Sequence, residues 1–199
     1  MALYGMPYIL EDTTGTLAGS EFIDIHDRMH LTLRCTSHDR RQRVFVLDNG
    51  DRPACAYAPD SSLGLSRRPL LSMQFGSDGS LGTITFQNSN VPISMRRYLV
   101  HTHCGELHTN ASTRRFVAND GQPYLWSRRI KPNQEFTCTN TTGHVIASYS
   151  LKAPGEPEYP DSSGCILEIE EQFGWLASEI VASLWIMRHI TALEQRDSL

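Results

Sequence analysis

The sequence predicts a mainly β fold: a closed antiparallel barrel of about ten to twelve strands wrapped round one hydrophobic C-terminal helix. Short alternating segments, separated by turn residues, recur through most of the chain, and this spacing is typical of a sandwich or barrel. The last segment is apolar on every side, and a helix of that kind is buried in protein or lies in lipid. A closed sheet would give the helix an interior and would leave no strand edge exposed.

The length and composition suit one domain covering residues 1–199. Hydrophobic residues make up 40% of the 199 residues, which is enough for a core, and the net charge of -4 argues against nucleic-acid binding. The N-terminus shows no basic start and no long apolar run, so we expect no secretory signal. The cysteines are odd in number and widely spaced, which indicates reduced thiols and a cytoplasmic location.

Most strands are predicted from alternation between apolar and polar residues, and the turns from Gly, Asn and Asp clusters. The strongest single turn signal is Asn49-Gly50, which favours a hairpin between the segments on either side. Three more hairpins are expected at residues 76–79, 119–122 and 141–143. The predicted strands are 22–27, 30–36, 44–47, 54–58, 70–75, 82–87, 95–101, 114–118, 123–127, 136–140, 145–151 and 165–170.

The closing helix is predicted over residues 175–193. From Ile180 to Met187 it offers no polar side apart from Ser183, and Glu179 and Arg188 bracket this apolar stretch. The stretch is much shorter than the roughly 20 residues that a membrane span needs. We therefore expect the helix to be enclosed by the strands.

Three stretches carry a resemblance to a known family: residues 114–129 (RRFVANDGQPYLWSRR), 144–150 (HVIASYS) and 166–187. Together they resemble a fungal domain family of unknown function, number six-five-nine-three, which is abundant in mushroom-forming fungi. The resemblance covers roughly residues 70–193. The positions that match its pattern are Arg115, Phe116, Asp120-Gly121, Tyr124, Trp126, Ala147 and Glu179.

That family is similar in outline to the tubby-like barrels, which include the tubby C-terminal domain, phospholipid scramblases and the plant LURP-one-related proteins. Those proteins are closed barrels threaded by a hydrophobic helix, so the resemblance implies the same architecture here. Tubby barrels bind phosphoinositide headgroups on a basic surface. No binding motif of theirs matches this sequence residue by residue.

Nearly all basic residues are arginines, and many stand in adjacent pairs. The ligand-binding candidates are Arg96, Arg97, Arg114, Arg115, Arg128 and Arg129, with further pairs at 40–41 and 67–68. Neighbouring strand residues point to opposite faces, so at least one of each pair faces water, a partner or a pocket. The functional interpretation is an anionic ligand such as a phosphoinositide or an isoprenoid diphosphate. The alternative is a solvated surface with local ion pairs.

Three sets of residues are candidates for acid–base chemistry. Asp24 and His26 would share one strand face, as an orienting carboxylate and a base, or would be polar residues flanking a turn. His101 and His103 would share another face, and Cys104 or His108 would complete a metal site there. The alternative for this cluster is an exposed strand end, and we expect no metal.

Glu179 is the third acid–base candidate. A carboxylate in the barrel interior would have a raised pKa and could act as a general acid. The alternative is a first-turn acid that the helix dipole favours.

The sequence contains no nucleophile elbow, phosphate-binding loop or dinucleotide fingerprint, and we expect no organic cofactor. The leading hypothesis is a binding module for a lipid or another hydrophobic or anionic small molecule, or for an anionic membrane surface. The alternative is an enzyme of fungal specialised metabolism, a terpenoid cyclase or isomerase that uses these acids and bases. A third hypothesis is a purely structural interaction domain.

Overall fold

The computed structural model describes residues 5–38, 41–49, 69–89, 91–102, 113–157 and 162–196. Within these ranges the chain forms one antiparallel sheet of 13 strands and a long C-terminal helix. The first seven strands are β1 Tyr8–Asp12, β2 Ser20–Asp24, β3 His30–His38, β4 Arg41–Asp48, β5 Leu71–Gln74, β6 Thr83–Phe86 and β7 Ile93–Ser94. After the helical turn α1, Met95–Tyr98, come β8 Val100–His101, β9 Thr113–Val117, β10 Pro123–Arg128, β11 Phe136–Asn140, β12 Val145–Ser150 and β13 Cys165–Ile169. The 3-10 helix Glu171–Leu176 leads into α2, Ala177–Arg196.

Nearly every strand pairs with its neighbours along the chain, and the first strand also pairs with the last. From one edge to the other it runs β7 to β1, then β13 to β8. The first and last strands are therefore neighbours, and Tyr8 pairs with Ile169 at one end of their ladder. The single turn α1 connects the two outermost strands, β7 and β8, so the chain links both edges of the sheet within a few residues.

The described sheet is open, because no backbone ladder joins β7 to β8 among the described residues. The predicted mainly β fold, with a large antiparallel sheet and a C-terminal helix, is confirmed. The predicted closure into a barrel is not confirmed by the strand pairing.

Three of the four predicted hairpins are present, as β5–β6, β9–β10 and β11–β12. Each contains a glycine with positive φ at the turn, Gly79, Gly121 and Gly143, which explains the choice of glycine there. The fourth prediction, the Asn49-Gly50 turn with a partner strand at 54–58, falls mostly outside the described residues. In the described part, β4 pairs with β3 and β5.

The predicted strand at 95–101 is wrong, because its first residues form α1 and only Val100 and His101 are extended. Met95, Tyr98 and Leu99 are buried, while Arg96 and Arg97 are exposed. This i, i+3, i+4 spacing is the helical one. The helical pattern is present in the sequence, but one turn is too short to distinguish a helix from a strand by periodicity.

Helix α2 is buried on all sides from Ile180 to Met187, as predicted, while residues 191–196 are partly or fully exposed. The helix begins two residues later and ends three residues later than expected. Even its polar residue Ser183 is 0% exposed, and Ser183 accepts a hydrogen bond of 2.8 Å from the indole N–H of Trp126 in β10. On another side, His189 donates to the carbonyl oxygen of Gly79 in the β5–β6 turn at 2.6 Å. Strands far apart in the sheet order thus cover the same helix.

Residues 171–196 are apolar and long enough to cross a membrane, with a mean hydropathy of 1.2 over the most apolar window. In the structure 72% of that window is buried inside the protein, which is how the core helix of a globular domain appears.

A buried carboxylate, Asp12, joins α2 to the strand β1. One carboxylate oxygen accepts hydrogen bonds from the Ser20 hydroxyl and, at 2.9 Å, from the Gly15 N–H. The other accepts from the Tyr149 hydroxyl at 2.7 Å and from Arg188 Nη1 at 2.9 Å. Arg188 Nη2 also donates to the Gly15 carbonyl at 2.6 Å. The fully buried charge of Asp12 is therefore paired and hydrogen-bonded, as a buried charge must be to be tolerated.

Replacing Asp12 with alanine would leave the Arg188 guanidinium without its anion and two hydroxyls without an acceptor. We expect Asp12→Ala to lower the free energy of unfolding by about 3–5 kcal/mol, the usual effect of breaking a buried pair from one side. Urea unfolding followed by tryptophan fluorescence measures this change. The matched control is Glu11→Ala on the same strand, expected to change stability by only about 0.5 kcal/mol. Equal losses in the two variants would contradict the anchoring role of Asp12.

Candidate functional site

A groove of about 340 Å3 lies beside the last turns of α2, where four separate parts of the chain meet. We call it the Arg96–Arg114 groove. Its size is at the lower end of the range for small-molecule sites. The β5–β6 turn contributes Asp78, Ser80 and Leu81, α1 contributes Arg96, β9 contributes Arg114, and α2 contributes Ile190, Leu193 and Glu194.

The strand β9 explains why one arginine of its pair enters the groove and the other does not. Side chains alternate between the two faces of a strand, and Phe116 faces the core. Arg114 shares that face, and only 17% of its side chain is exposed. Arg115 points the other way and is exposed.

Arg114 is incompletely paired within the groove. Its Nη2 lies 3.5 Å from a carboxylate oxygen of Glu194, which is long for a hydrogen bond. Its Nε is buried and has no hydrogen-bond partner among the described residues. A buried donor without an acceptor is costly. The guanidinium of Arg114 therefore has unused hydrogen-bonding capacity.

The β5–β6 turn is held against α2 and forms one wall of the groove. Gly79 adopts a φ of 79°, and its carbonyl accepts the hydrogen bond from His189. The His189 ring also packs on Phe75, with ring centroids 4.3 Å apart. On the same helix, Ile190, Leu193 and Glu194 follow an i, i+3, i+4 spacing and share one face. Helix α2 thus holds this wall in place and itself lines the groove.

A further predicted arginine pair, Arg128 and Arg129, is paired with a single carboxylate, that of Glu135. Arg128 Nε lies 2.8 Å from one oxygen of Glu135, and Arg129 Nε lies 2.6 Å from the other. Arg129 also borders a second groove, of about 390 Å3, with Lys131 and Lys152. Arg97 of α1 is exposed outside both of these grooves. Arg40, Arg67 and Arg68 lie outside the described residues.

A third groove, of about 510 Å3, has an acidic character. It is lined by the carboxylates of Glu168, Glu170 and Glu171. The His144 ring pairs with Glu170, and the Gly5 N–H donates to Glu171. Because like charges repel, this groove disfavours a phosphate or another anionic ligand.

Glu179 lies in the first turn of α2 and is only 5% exposed. Its carboxylate oxygens accept hydrogen bonds from the backbone N–H of Asn119 at 3.1 Å and 3.3 Å. Burial raises the pKa of Glu179 to about 6, the Asn119 hydrogen bond opposes that shift, and the charge of Asp120 adds to it. The carboxyl group of Glu179 therefore keeps its proton to a higher pH than an exposed glutamate does.

Aromatic side chains surround this acidic position. The Tyr98 hydroxyl is buried without a hydrogen-bond partner among the described residues, and burial together with the charge of Glu179 raises its pKa. The Tyr124 hydroxyl donates to Asp120 at 2.7 Å. Successive ring contacts connect Phe86, Tyr98, Phe116, Tyr124, Phe173 and His144. None of the three grooves is lined by Glu179.

Asp24 and His26 do not share a strand face, because β2 ends at Asp24 and His26 lies exposed in the following turn. Asp24 accepts hydrogen bonds from Arg28 Nε at 2.7 Å and Nη2 at 3.1 Å, and from the Ile9 N–H at 2.9 Å. Burial alone would raise the pKa of Asp24, but these hydrogen bonds and the Arg28 charge outweigh it and lower the pKa. Asp24 therefore serves as an anchor for Arg28, and the role of His26 stays a prediction.

The histidine cluster is only partly described. His101 is exposed at the end of β8, and His103, Cys104 and His108 lie outside the described residues. Within the described ranges, no group of three His, Cys, Asp or Glu side chains is arranged to hold a metal ion.

Sequence reasoning missed the acidic and apolar residues of the Arg96–Arg114 groove. Ile190, Leu193 and Glu194 carried a usable signal, since their spacing places them on one helix face. Asp78 and Ser80 carried only a turn signal. Nothing in the sequence connects these two segments to each other.

The pKa of Glu179 predicts a pH dependence of stability. A carboxyl group whose folded-state pKa of about 6 exceeds the ordinary 4.5 holds its proton more tightly in the folded state. Its stabilising contribution is complete below pH 4.5 and is lost as pH rises through about 6. Over this interval we expect the unaltered protein to lose about 1–2 kcal/mol of its free energy of unfolding. Glu179→Gln cannot titrate at this position and should not show that loss.

Urea unfolding at several pH values gives the difference in stability between the two proteins. A difference that does not change between pH 4.5 and 7, or that changes in the opposite direction, would contradict the raised pKa of Glu179.

Comparisons of the chain with protein-family models, with curated proteins and with solved structures found no match in any of the three.

Proposed function

We propose that the protein is a cytosolic binding module for an amphiphilic small molecule with an anionic headgroup. In this proposal the headgroup lies on Arg96 and Arg114, and the apolar part lies on Leu81, Ile190 and Leu193. The candidates are those of the sequence, a lipid, a phosphoinositide or an isoprenoid diphosphate, either free or presented by an anionic membrane.

One observation carries the proposal: Arg114 lines an open groove, and among the described residues its guanidinium makes only one long contact, 3.5 Å from Nη2 to a carboxylate oxygen of Glu194. Arginine presents its donors in a planar fork that matches phosphate or carboxylate oxygens. A ligand oxygen in the groove would give this guanidinium a shorter, charged hydrogen bond.

The proposal includes a barrel of the tubby-like kind. In its support, both halves of the sheet contact α2 and the turn α1 links the two sheet edges. The ligand groove would then lie at one mouth of the barrel, beside the C-terminal turns of the central helix.

A binding role is favoured over the terpenoid-cyclase alternative by the surroundings of the helix. Leu184 and Trp185 are each 1% exposed, which agrees with close packing around the middle of α2. A cyclase needs an apolar chamber with an acid or base in its wall. The acid with a raised pKa, Glu179, lines none of the three grooves.

Titration with dodecyl phosphate, kept below its micelle concentration, tests the proposal by calorimetry. We expect Arg114→Gln to weaken binding by about tenfold or more, because a charged hydrogen bond to the phosphate is lost. Arg96→Gln should weaken binding by a smaller factor, because Arg96 is exposed.

Arg115→Gln and Arg97→Gln are matched controls, since each is the exposed neighbour of a groove arginine. Both should bind dodecyl phosphate like the unaltered protein. The proposal fails if no binding is detected, or if the control substitutions weaken it as much as Arg114→Gln does. Repeating the four variants on vesicles with anionic lipid separates groove binding from general surface attraction.

A further inference from the structure

The Arg96–Arg114 groove carries charges of both signs. Its positive side chains are Arg96 and Arg114, and its negative ones are Asp78 and Glu194. A plain anion that reached the two arginines would also lie near two carboxylates. Among the candidate ligands, the groove therefore suits one that also carries a positive group better than it suits a phosphoinositide or a diphosphate.

Asp78 supplies the negative side of this arrangement. It is held in the β5–β6 turn by the Ser80 N–H, which donates to its carboxylate at 2.9 Å. Hydrogen bonds from the Ser80 hydroxyl and backbone keep the pKa of Asp78 below its ordinary value, so the carboxylate is ionised at neutral pH. No Lys, Arg or His side chain of the described ranges pairs with Asp78.

The positive side chains of the groove are also incompletely paired. Arg114 keeps its unpaired Nε, and Arg96 makes no ion pair with any described residue. Among the described residues, the groove thus offers a positive site that is incompletely paired and a carboxylate, Asp78, that makes no ion pair. Leu81, Ile190 and Leu193 form an apolar floor beside them.

We infer that the groove recognises a zwitterionic phosphate ester with a primary ammonium group, as in a phosphoethanolamine headgroup. This inference rests on the proposed function and narrows it. The phosphate lies against Arg96 and Arg114, and the ammonium group donates hydrogen bonds to Asp78. The same chemistry comes from a lipid headgroup or from the free ester.

A primary ammonium fits the groove better than a quaternary one. Quaternary ammonium groups have no N–H donors and are bound by aromatic cages. The described lining of the groove contains carboxylates, arginines, a serine and aliphatic side chains, but no aromatic ring. A carboxylate acceptor such as Asp78 gains charged hydrogen bonds only from an ammonium that carries protons.

Three amphiphiles with the same chain test the inference by calorimetry below their micelle concentrations: dodecylphosphoethanolamine, dodecylphosphocholine and dodecyl phosphate. We expect the phosphoethanolamine compound to bind about tenfold more tightly than either of the others, the effect of one charged hydrogen bond. Adding free O-phosphoethanolamine as a competitor distinguishes the two sources. Displacement at concentrations near those of the dodecyl ester supports the free ester, and a large advantage of the dodecyl ester supports a lipid.

Asp78→Asn gives the decisive comparison, because asparagine keeps an oxygen for the Ser80 N–H and loses only the charge. The variant should bind dodecylphosphoethanolamine about tenfold more weakly and dodecyl phosphate equally well or better. The matched control is Asp27→Asn in the exposed β2–β3 turn, outside the groove, which should leave all affinities unchanged.

The failures of the two proposals are distinguishable. Equal binding of the three compounds, still dependent on Arg114, overturns the ammonium assignment and leaves the anion site standing. Absence of binding by all three overturns both. A preference for dodecylphosphoethanolamine that persists unchanged in Asp78→Asn also overturns the ammonium assignment.

Discussion

An ion pair connects Asp12 in β1 to Arg188 in α2. The two halves of the sheet meet at β1, and both halves cover α2. Every oxygen of the Asp12 carboxylate is occupied, and each donor comes from a different segment of the chain. Tyr149 and Trp185 also lie against the Arg188 guanidinium, 5.0 Å and 5.8 Å from it to their ring centroids. Apolar burial drives the helix inside, but apolar contacts alone fix neither its rotation nor its height. The directional contacts of Arg188, together with those of Ser183 and His189, fix both.

The position of the groove follows from that fixed rotation. With Arg188 turned towards β1, the next residue, His189, reaches the β5–β6 turn, and Ile190 and Leu193 form the apolar floor of the groove. The turn α1 then serves two purposes at the joint between the sheet edges. Tyr98 packs inward against Phe86 and Phe116, while Arg96 reaches the groove. The groove therefore exists only in the assembled fold.

Local patterns in the sequence predicted the local parts of the fold. The hairpins at Gly79, Gly121 and Gly143 and the buried helix were readable, because turn chemistry and periodicity are encoded within a few residues. Strand β1 was missed because its inward-facing Asp12 interrupts the apolar alternation. Alternation within the arginine pairs implied that at least one member of each faces water, a partner or a pocket, and Arg115 is indeed exposed. Alternation could not reveal the groove itself, which unites distant segments through tertiary packing.

Native-state amide hydrogen exchange shows whether α2 is locked inside the sheet. We expect the amides of residues 180–187 to exchange only through global unfolding, with free energies equal to that from urea unfolding. In Asp12→Ala those free energies should fall together with the global stability. If these amides exchanged through a smaller opening while the amides of β11 and β12 stayed protected, the helix would leave the sheet without unfolding it, and α2 would not be locked.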